Sequence, residues 1–199
     1  SLDKKGTLTI SGKGEMPDYS GDTPPWVKYR DDIKAVVIEE GVTHIGTQCF
    51  QFCTKLKSVT IPSSVESIGD AAFYRCEKLS AVTLPDALTE IADQTFDHCT
   101  ALKSIVIPDG VTRIGESAFN CCSVIKTVDI PASVEKICDS AFNACQKLET
   151  VYYGGTASDW NKIEIERYNK RLTSAELVIA DTETSAPAPS EKPVGGKLK

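Results

Sequence analysis

The sequence predicts an α/β solenoid, in which a short unit of strand, turn and helical turn repeats and stacks on itself. Phenylalanine recurs every 23 residues, at Phe50, Phe73, Phe96, Phe119 and Phe142. A cysteine lies three places after each phenylalanine, and an isoleucine lies five places before it: Cys53, Cys76, Cys99, Cys122, Cys145 and Ile45, Ile68, Ile91, Ile114, Ile137. Five copies keep this register without a slip, so the same side chains are expected to stack in one interior.

The first half of each unit has the alternating polarity of a strand. In the second copy, buried Val59 and Ile61 alternate with outward Ser58 and Thr60. Pro62 follows directly and ends the strand, because proline has no amide donor for a ladder. Strands that recur once per unit predict a parallel sheet on the concave side of the solenoid.

The second half of each unit is predicted to bend and form a short helical turn on the convex side. Gly69 suits the tight bend, and the helix after it would bury the phenylalanine and the cysteine. The expected N-cap residues of these helices are Thr47, Asp70, Asp93 and Asp139. Glu116 departs from this pattern, so its turn is expected to be held less well.

The end segments differ from the repeats, as the terminal units of a solenoid must. Trp26 and Trp160 are expected to cover the two open ends of the core. Thr156 and Asp159 form a capping-box pattern, and 177–179 reads as a closing strand. The predicted organisation is an N-terminal cap at 1–32, five 23-residue repeats at 33–151, a C-terminal cap at 152–180 and a flexible Pro/Ser/Thr/Lys linker at 181–199.

Composition excludes several classes of protein. The net charge of −6 argues against a nucleic-acid binder, which must neutralise many phosphates. The chain has no run of about 18 apolar residues, so no transmembrane segment is expected. It lacks the nucleophile-elbow, zinc-protease, P-loop and dinucleotide motifs, and it is therefore expected to be a non-enzymatic monomer without a cofactor.

The cysteines are expected to be buried free thiols and not metal ligands. Cysteines 23 residues apart form a line, whereas a structural metal site needs ligands that converge. His44 and His98 fall at different repeat positions and are expected to be surface or loop residues. Disulfides within the cysteine line remain an alternative. The off-line residues Cys49, Cys121 and Cys138 are better candidates for any bridge.

The outward strand positions are the candidate binding surface. They combine a row of lysines with small, β-branched and aromatic side chains: Lys34, Lys57, Thr60, Thr83, Lys103, Val106, Lys126 and Tyr152. The alternative interpretation is that the lysines only keep an exposed sheet soluble.

The repeat resembles a known family. The unit from Ile61 to Val82 reads I-P-x-x-V-x-x-I-G-x-x-A-F-x-x-C-x-x-L-x-x-V and is similar to the repeat of BspA-like leucine-rich repeat surface proteins. The likeness extends over about residues 6–180. It implies a right-handed leucine-rich-repeat solenoid on a secreted or cell-surface bacterial protein. Its concave face would mediate adhesion or contacts with a protein or glycan partner. The alternative function is a passive spacer that presents another domain or a surface attachment.

Overall fold

A computed structural model describes residues 1–20 and 23–179, and the linker predicted for 181–199 lies outside them. The chain winds into a parallel-strand solenoid, which confirms the predicted fold class. The strands formed by the described residues are β1 (Thr7–Ile10), β2 (Gly14–Glu15), β3 (Ala35–Ile38), β4 (Val42–Ile45), β5 (Ser58–Thr60), β6 (Ser67–Ile68), β7 (Glu90–Ile91), β8 (Ser104–Val106), β9 (Arg113–Ile114), β10 (Thr127–Ile130), β11 (Lys136–Ile137), β12 (Thr150–Tyr153), β13 (Glu164–Ile165) and β14 (Glu176–Ile179).

The predicted strands form a parallel surface, here named the strand face, from β1-β3-β5 and β8-β10-β12-β14. The register follows the repeat, since Val128 pairs with Ile105 on one side and with Val151 on the other. Both end segments add a strand to this surface: β1 lies beside β3, and the predicted closing strand lies beside β12 as β14. The caps therefore extend the repeat sheet at both ends.

The strand face is interrupted at the third repeat. Residues 79–84 form no strand, and the backbone bonds on either side are long. The Ser80 amide lies 3.5 Å from the Lys57 carbonyl and the Lys103 amide 3.3 Å from the Ser80 carbonyl. The corresponding bond from Lys57 to Lys34 measures 2.9 Å. The sheet is thus divided into a three-stranded and a four-stranded part.

A second ladder runs beside the strand face, in the orders β2-β4-β6 and β7-β9-β11-β13. Five of its strands, β4, β6, β7, β9 and β11, end at the isoleucines that precede each phenylalanine by five places, where the sequence analysis predicted no strand. Ile45 pairs with Ile68, and Ile114 pairs with Ile91 and Ile137, so the isoleucine columns lie in register and buried.

The helices predicted within the repeats do not form, and hydrogen-bonded turns take their place. Two residues in each turn have a positive φ, a conformation that ends a helix. They are Gln48, Phe52, Ala71, Arg75, Gln94, His98, Ser117, Cys121, Ser140 and Ala144. The turns bond both within themselves and to the next repeat. The amide of Cys53 donates to the carbonyl of Phe50 in its own turn at 3.2 Å. The amide of Phe50, for example, donates to the carbonyl of Ala72 at 2.8 Å.

The aspartates predicted as helix N-caps bond between repeats. Asp70 accepts from the Asp93 amide at 3.1 Å, and Asp93 accepts from the Glu116 amide at 2.8 Å. Asp139 accepts from the amide of Arg167 in the C-terminal cap at 2.8 Å. In the first repeat the acceptor is Asp18 of the N-terminal cap, and the backbone amide of Thr47 donates to its carboxylate at 2.6 Å. The prediction identified the three aspartates correctly as acceptors but assigned the wrong partners, because the amides that they satisfy lie one winding away. It is wrong for Thr47, whose amide is the donor.

The core is a column of aromatic rings beside a column of thiols. Trp26 and the five repeat phenylalanines stack face to face, with centroids 5.2 to 5.6 Å apart and planes within 18° of parallel. All eight cysteines are free, as expected. Thiols of the column donate to the carbonyl of the phenylalanine in the preceding repeat at 3.2 to 3.4 Å, in Cys76, Cys99, Cys122 and Cys145. Both columns therefore connect each winding to its neighbour.

The N-terminal cap covers the aromatic column as predicted. Trp26 precedes a 3₁₀ helix at Val27–Asp32, stacks on Phe50 and donates its indole N–H to the Cys49 carbonyl at 2.9 Å. The Tyr19 amide donates to the Thr47 carbonyl at 3.0 Å. This cap thus supplies hydrogen-bond donors to the first repeat.

The C-terminal cap supplies acceptors to the last repeat. The Ser140 amide donates to the Arg167 carbonyl, and the Phe142 amide donates to Oδ1 of buried Asn169, both at 2.9 Å. Helix α1 (Ala157–Trp160) carries the predicted capping box of Thr156 and Asp159, and helix α2 (Lys170–Thr173) follows Asn169. Trp160 packs edge-on against Tyr153 of β12, with their ring centroids 5.1 Å apart. It therefore covers the last repeat beside its strand and does not continue the phenylalanine column.

The Phe96→Ala variant should be severely destabilised. Phe96 is fully buried and stacked on both sides, so truncation removes two aromatic contacts and leaves a cavity that the neighbouring windings cannot fill. We expect the free energy of unfolding in urea to fall by about 3–5 kcal/mol. Phe52→Ala is the matched control, because this phenylalanine is 37% exposed, and its effect should be much smaller. Equal losses in the two variants would contradict the stacked column.

Thiol reagents should distinguish one cysteine from the other seven. Burial raises the pKa of Cys53 and Cys145 to about 12, and it also raises the pKa values of Cys76, Cys99 and Cys122 well above their ordinary value. Cys121 is the partly exposed member. We expect a chromogenic disulfide reagent to modify about one thiol rapidly in the native protein and all eight after denaturation. The Cys121→Ser variant should lack the rapid phase, and its persistence would show that another thiol is accessible.

Candidate binding site on the strand face

All eight residues predicted to bind lie exposed along the strand-face windings. Four of them form the lysine row, defined as Lys34, Lys57, Lys103 and Lys126. The row runs along the beginning of the strands, where backbone bonds stack Lys57 on Lys34 and Lys126 on Lys103, each at 2.9 Å. Glu149 ends the row, and one of its carboxylate oxygens lies 3.7 Å from Nζ of Lys126.

The other four residues follow a parallel row nearer the carboxyl ends of the strands. Thr60 and Thr83 lie in the second and third windings, and Thr83 falls in the segment without a strand. Val106 is 62% exposed and Tyr152 is 45% exposed, which is unusual for side chains of this size. Asp129 lies directly between them in the register, and Val178 extends the row on the far side of Tyr152. The row therefore changes from small polar to large apolar residues along the solenoid.

A groove, here named the apolar groove, opens along this row. Its volume is about 270 Å³, and its lining is Val106, Ile107, Asp109, Asp129, Ile130, Pro131, Tyr152, Tyr153, Gly154 and Val178. A second depression of about 200 Å³ continues it toward the third repeat and shares Val106, with Asp86 at its edge. Asp86 and Asp109 occupy equivalent positions, each directly after a strand-ending proline.

The charges at the two edges of the strand face are opposite. The lysine row lies at the start of the strands, whereas Asp109 and Asp129 line the apolar groove at their ends. Burial among the apolar groove residues raises the pKa of the Asp129 carboxyl. A cation placed in the groove would offset that desolvation, so the groove is suited to a positively charged group beside apolar surface.

Sequence reasoning found Val106 and Tyr152 but missed the rest of the groove. The aspartates after Pro85 and Pro108 share one repeat position, and that recurrence was the available signal. Assigning Val178 to the groove requires the pairing of the closing strand with β12, which sets Val178 beside Tyr152.

One cluster among the described residues could hold a metal ion, contrary to the expectation that no such site exists. Asp97, His98 and Cys121 each offer one donor atom, and these atoms lie within 4.8 Å of one another. Burial raises the pKa of Asp97, although hydrogen bonds from His98 and Asn120 act in the opposite direction. The other histidine, His44, contacts Ser67 and Asp18 in the second ladder. His98 is thus not isolated, because stacking brings Cys121 from the next winding beside it.

Within the described residues, no helix has the length and apolar character needed to cross a membrane.

Comparison with known proteins agrees with the repeat and the fold. Residues 28–149 match a family model described as the BspA type leucine rich repeat region, in six copies. A comparison with curated proteins gives no match.

Several solved structures are similar to the chain. A leucine rich cell surface protein from Faecalibacterium prausnitzii is 41% identical, with a TM-score of 0.64 over 66% of this chain and 35% of its own. A leucine-rich repeat protein from Eubacterium ventriosum is 33% identical, with a TM-score of 0.66 over 79% of this chain and 41% of its own. The leucine rich repeat protein of T. pallidum shares the fold at 22% identity, with a TM-score of 0.67 over 89% of this chain and 88% of its own.

The chain spans well under half the length of the first two of these proteins. The family model nevertheless covers most of the chain and agrees with the 23-residue windings seen in the structure. The protein therefore belongs to the BspA-type leucine-rich repeat family.

Proposed function

We propose that this chain is a binding module of a secreted or cell-surface bacterial protein, and that it holds a protein partner on its strand face without catalysing a reaction. Two facts support this role. The family and the fold are those of protein-interaction scaffolds that are generally non-enzymatic. A relative that is 41% identical over two thirds of this chain is a cell surface protein.

The observation that carries the proposal is the apolar groove. Val106, Tyr152 and Val178 are large apolar side chains that remain exposed in one row and line the same groove. Tyr152 adjoins Val178, and Val106 lies on the other side of Asp129. A soluble protein rarely leaves such side chains together in water unless a partner covers them. Aromatic side chains in a concave apolar site are also the usual anchors of protein interfaces.

The occupant that fits the groove is a peptide segment with a large apolar side chain next to a lysine or arginine. The apolar walls accept the first side chain, and the carboxylates of Asp109 and Asp129 accept the cation. A sugar fits less well, because its hydroxyl groups need several donors and acceptors. The side chains that line the groove offer two carboxylates and one phenolic edge at each tyrosine, with no amide or guanidinium group.

The lysine row completes the complementarity at the opposite edge of the strand face. A partner that lies across the strands would place basic residues over the groove and acidic residues over Lys57, Lys103 and Lys126. This arrangement fixes the direction in which the partner binds.

Truncation of Tyr152 should weaken binding of such peptides. Peptides selected from a random phage-displayed library on the full chain should be enriched in a large apolar residue beside lysine or arginine. Their affinity, measured by fluorescence anisotropy, should fall at least about tenfold for Tyr152→Ala, since the groove loses its aromatic wall. The double variant Asp109→Asn, Asp129→Asn should lose the preference for basic residues while keeping the fold.

Tyr29→Ala is the matched control for the groove, because Tyr29 is 42% exposed and lies in the N-terminal cap. Equal affinities of the Tyr152 and Tyr29 variants would contradict the proposed site. A glycan array that gives signal dependent on Tyr152, together with a library that yields no enriched peptide, would assign the site to a sugar instead.

Charge reversal of the lysine row tests the second edge of the site. The triple variant Lys57→Glu, Lys103→Glu, Lys126→Glu should reduce the association rate of the selected peptides that carry acidic residues, and added salt should reduce the difference from wild type. The control is Lys78→Glu, Lys170→Glu, Arg171→Glu, which makes the same change in net charge outside the strand face. If neither this variant nor the groove variants affect any peptide, the chain is a passive spacer.

A further inference from the structure

We propose that Asp97, His98 and Cys121 form a binding site for a divalent transition-metal ion, with zinc as the best-fitting ion. The three side chains lie on the turns of the third and fourth repeats, away from the residues of the strand face. The site is therefore independent of the proposed binding function.

The backbone of the turns brings the donors together. His98 and Cys121 occupy the same position one repeat apart, and their φ values are nearly equal at 59° and 57°. Two bonds of the turn ladder hold them, because the amides of His98 and Cys121 donate to the carbonyls of Asn120 and Asn143, each at 2.9 Å. Equal conformation in adjacent windings sets the imidazole and the thiol side by side, and Asp97 precedes His98 in the chain.

The donor set suits zinc. Thiolate sulfur, imidazole nitrogen and carboxylate oxygen are its usual ligands in proteins, at roughly 2.0–2.3 Å from the ion. Donor atoms within 4.8 Å of one another need to move by only about 1 Å to reach such distances. His98 and Cys121 are partly exposed and have room for this movement. Three protein ligands would leave a fourth position for water.

Neighbouring amides orient the buried ligand. The Asp97 side chain is almost completely buried, and its Oδ1 accepts from Nδ2 of Asn120 at 3.0 Å and lies 2.7 Å from Nδ1 of His98. The Asn143 amide in turn donates to Oδ1 of Asn120 at 3.2 Å. The bonds through Asn120 and Asn143 come from residues outside the ligand set, and bonds of this kind orient the ligands of metal sites and raise their affinity. The contact between Asp97 and His98 joins two ligands, and a bound ion would replace it. The nearby Arg75 guanidinium opposes a cation, but a hydrogen bond of 3.1 Å holds its Nε at the Tyr74 hydroxyl.

The fold itself does not need the ion. The other residues at the position of His98 and Cys121 are Phe52, Arg75 and Ala144. The amides of Phe52 and Arg75 bond to the next winding in the same way, each at 2.8 Å, although neither side chain is a metal ligand. Two potential metal ligands are adjacent at this position only where His98 lies beside Cys121. The ion would therefore bind to a fold that forms without it.

The test uses the reduced, tag-free full chain, with Co²⁺ and Zn²⁺ as the probes. Isothermal titration with Zn²⁺ should give one ion per chain. Co²⁺ should produce a thiolate-to-metal charge-transfer absorption that Zn²⁺ then displaces. Cys121→Ser should abolish this absorption, and His98→Ala should lower the Zn²⁺ affinity at least about tenfold. Circular dichroism should show that both variants keep the wild-type fold, because the ladder bonds at these positions involve the backbone alone.

His44→Ala is the control, because it removes the other histidine of the chain and should leave the titration unchanged. Absence of Zn²⁺ binding would overturn the proposal. It would also be overturned if binding persisted undiminished in the Cys121 variant, since the ion would then be held elsewhere.

Discussion

In-register stacking of identical side chains is the constraint on which the rest of this structure depends. A phenylalanine ring touches the same ring of the next winding, and a thiol below it bonds to the carbonyl of the preceding phenylalanine. A slip of one residue between two windings would break both contacts at that interface. The five repeats keep the 23-residue spacing without an insertion, and each unit gains its stability from its two neighbours.

The sequence was sufficient to predict the strand-face strands of four of the five repeats, the buried columns and the tryptophan that stacks on the first phenylalanine. Each of these is marked by a local pattern: alternation around Val59, proline at Pro62, and tryptophan in each end segment. The turns opposite the strand face were not predictable in this way. Residues such as Gln48 and Arg75 adopt a positive φ although nothing in their chemistry favours it. The bonds that compensate for this conformation come from the next winding, where the Gln48 amide donates to the Asp70 carbonyl.

The candidate site was predictable to the same extent. Alternation along the strands identified the eight exposed residues, including Tyr152. The apolar groove was not predictable from alternation, since its lining also includes Pro131 after one strand and Val178 from the closing strand. The donor cluster at His98 and Cys121 was missed for a different reason. The columns of the repeat are recognised because the same apolar residue recurs in them. His98 and Cys121 share a position that holds a different type of side chain in each repeat, so no recurrence marks it.

One series of turn amides, such as those of Gln48, Phe50 and Phe52, donates only to carbonyls of the next winding, and this makes the two ends of the solenoid chemically different. The N-terminal cap presents Tyr19 and Trp26 as donors, and the C-terminal cap presents the Arg167 carbonyl and Asn169 as acceptors. Without the caps, the two ends of the solenoid would be complementary. Unpaired carbonyls at one end would fit unpaired amides at the other, and the phenylalanine columns of two chains would align. Such ends favour head-to-tail association without closure, the geometry of a growing filament. In the intact chain the caps cover these groups at both ends.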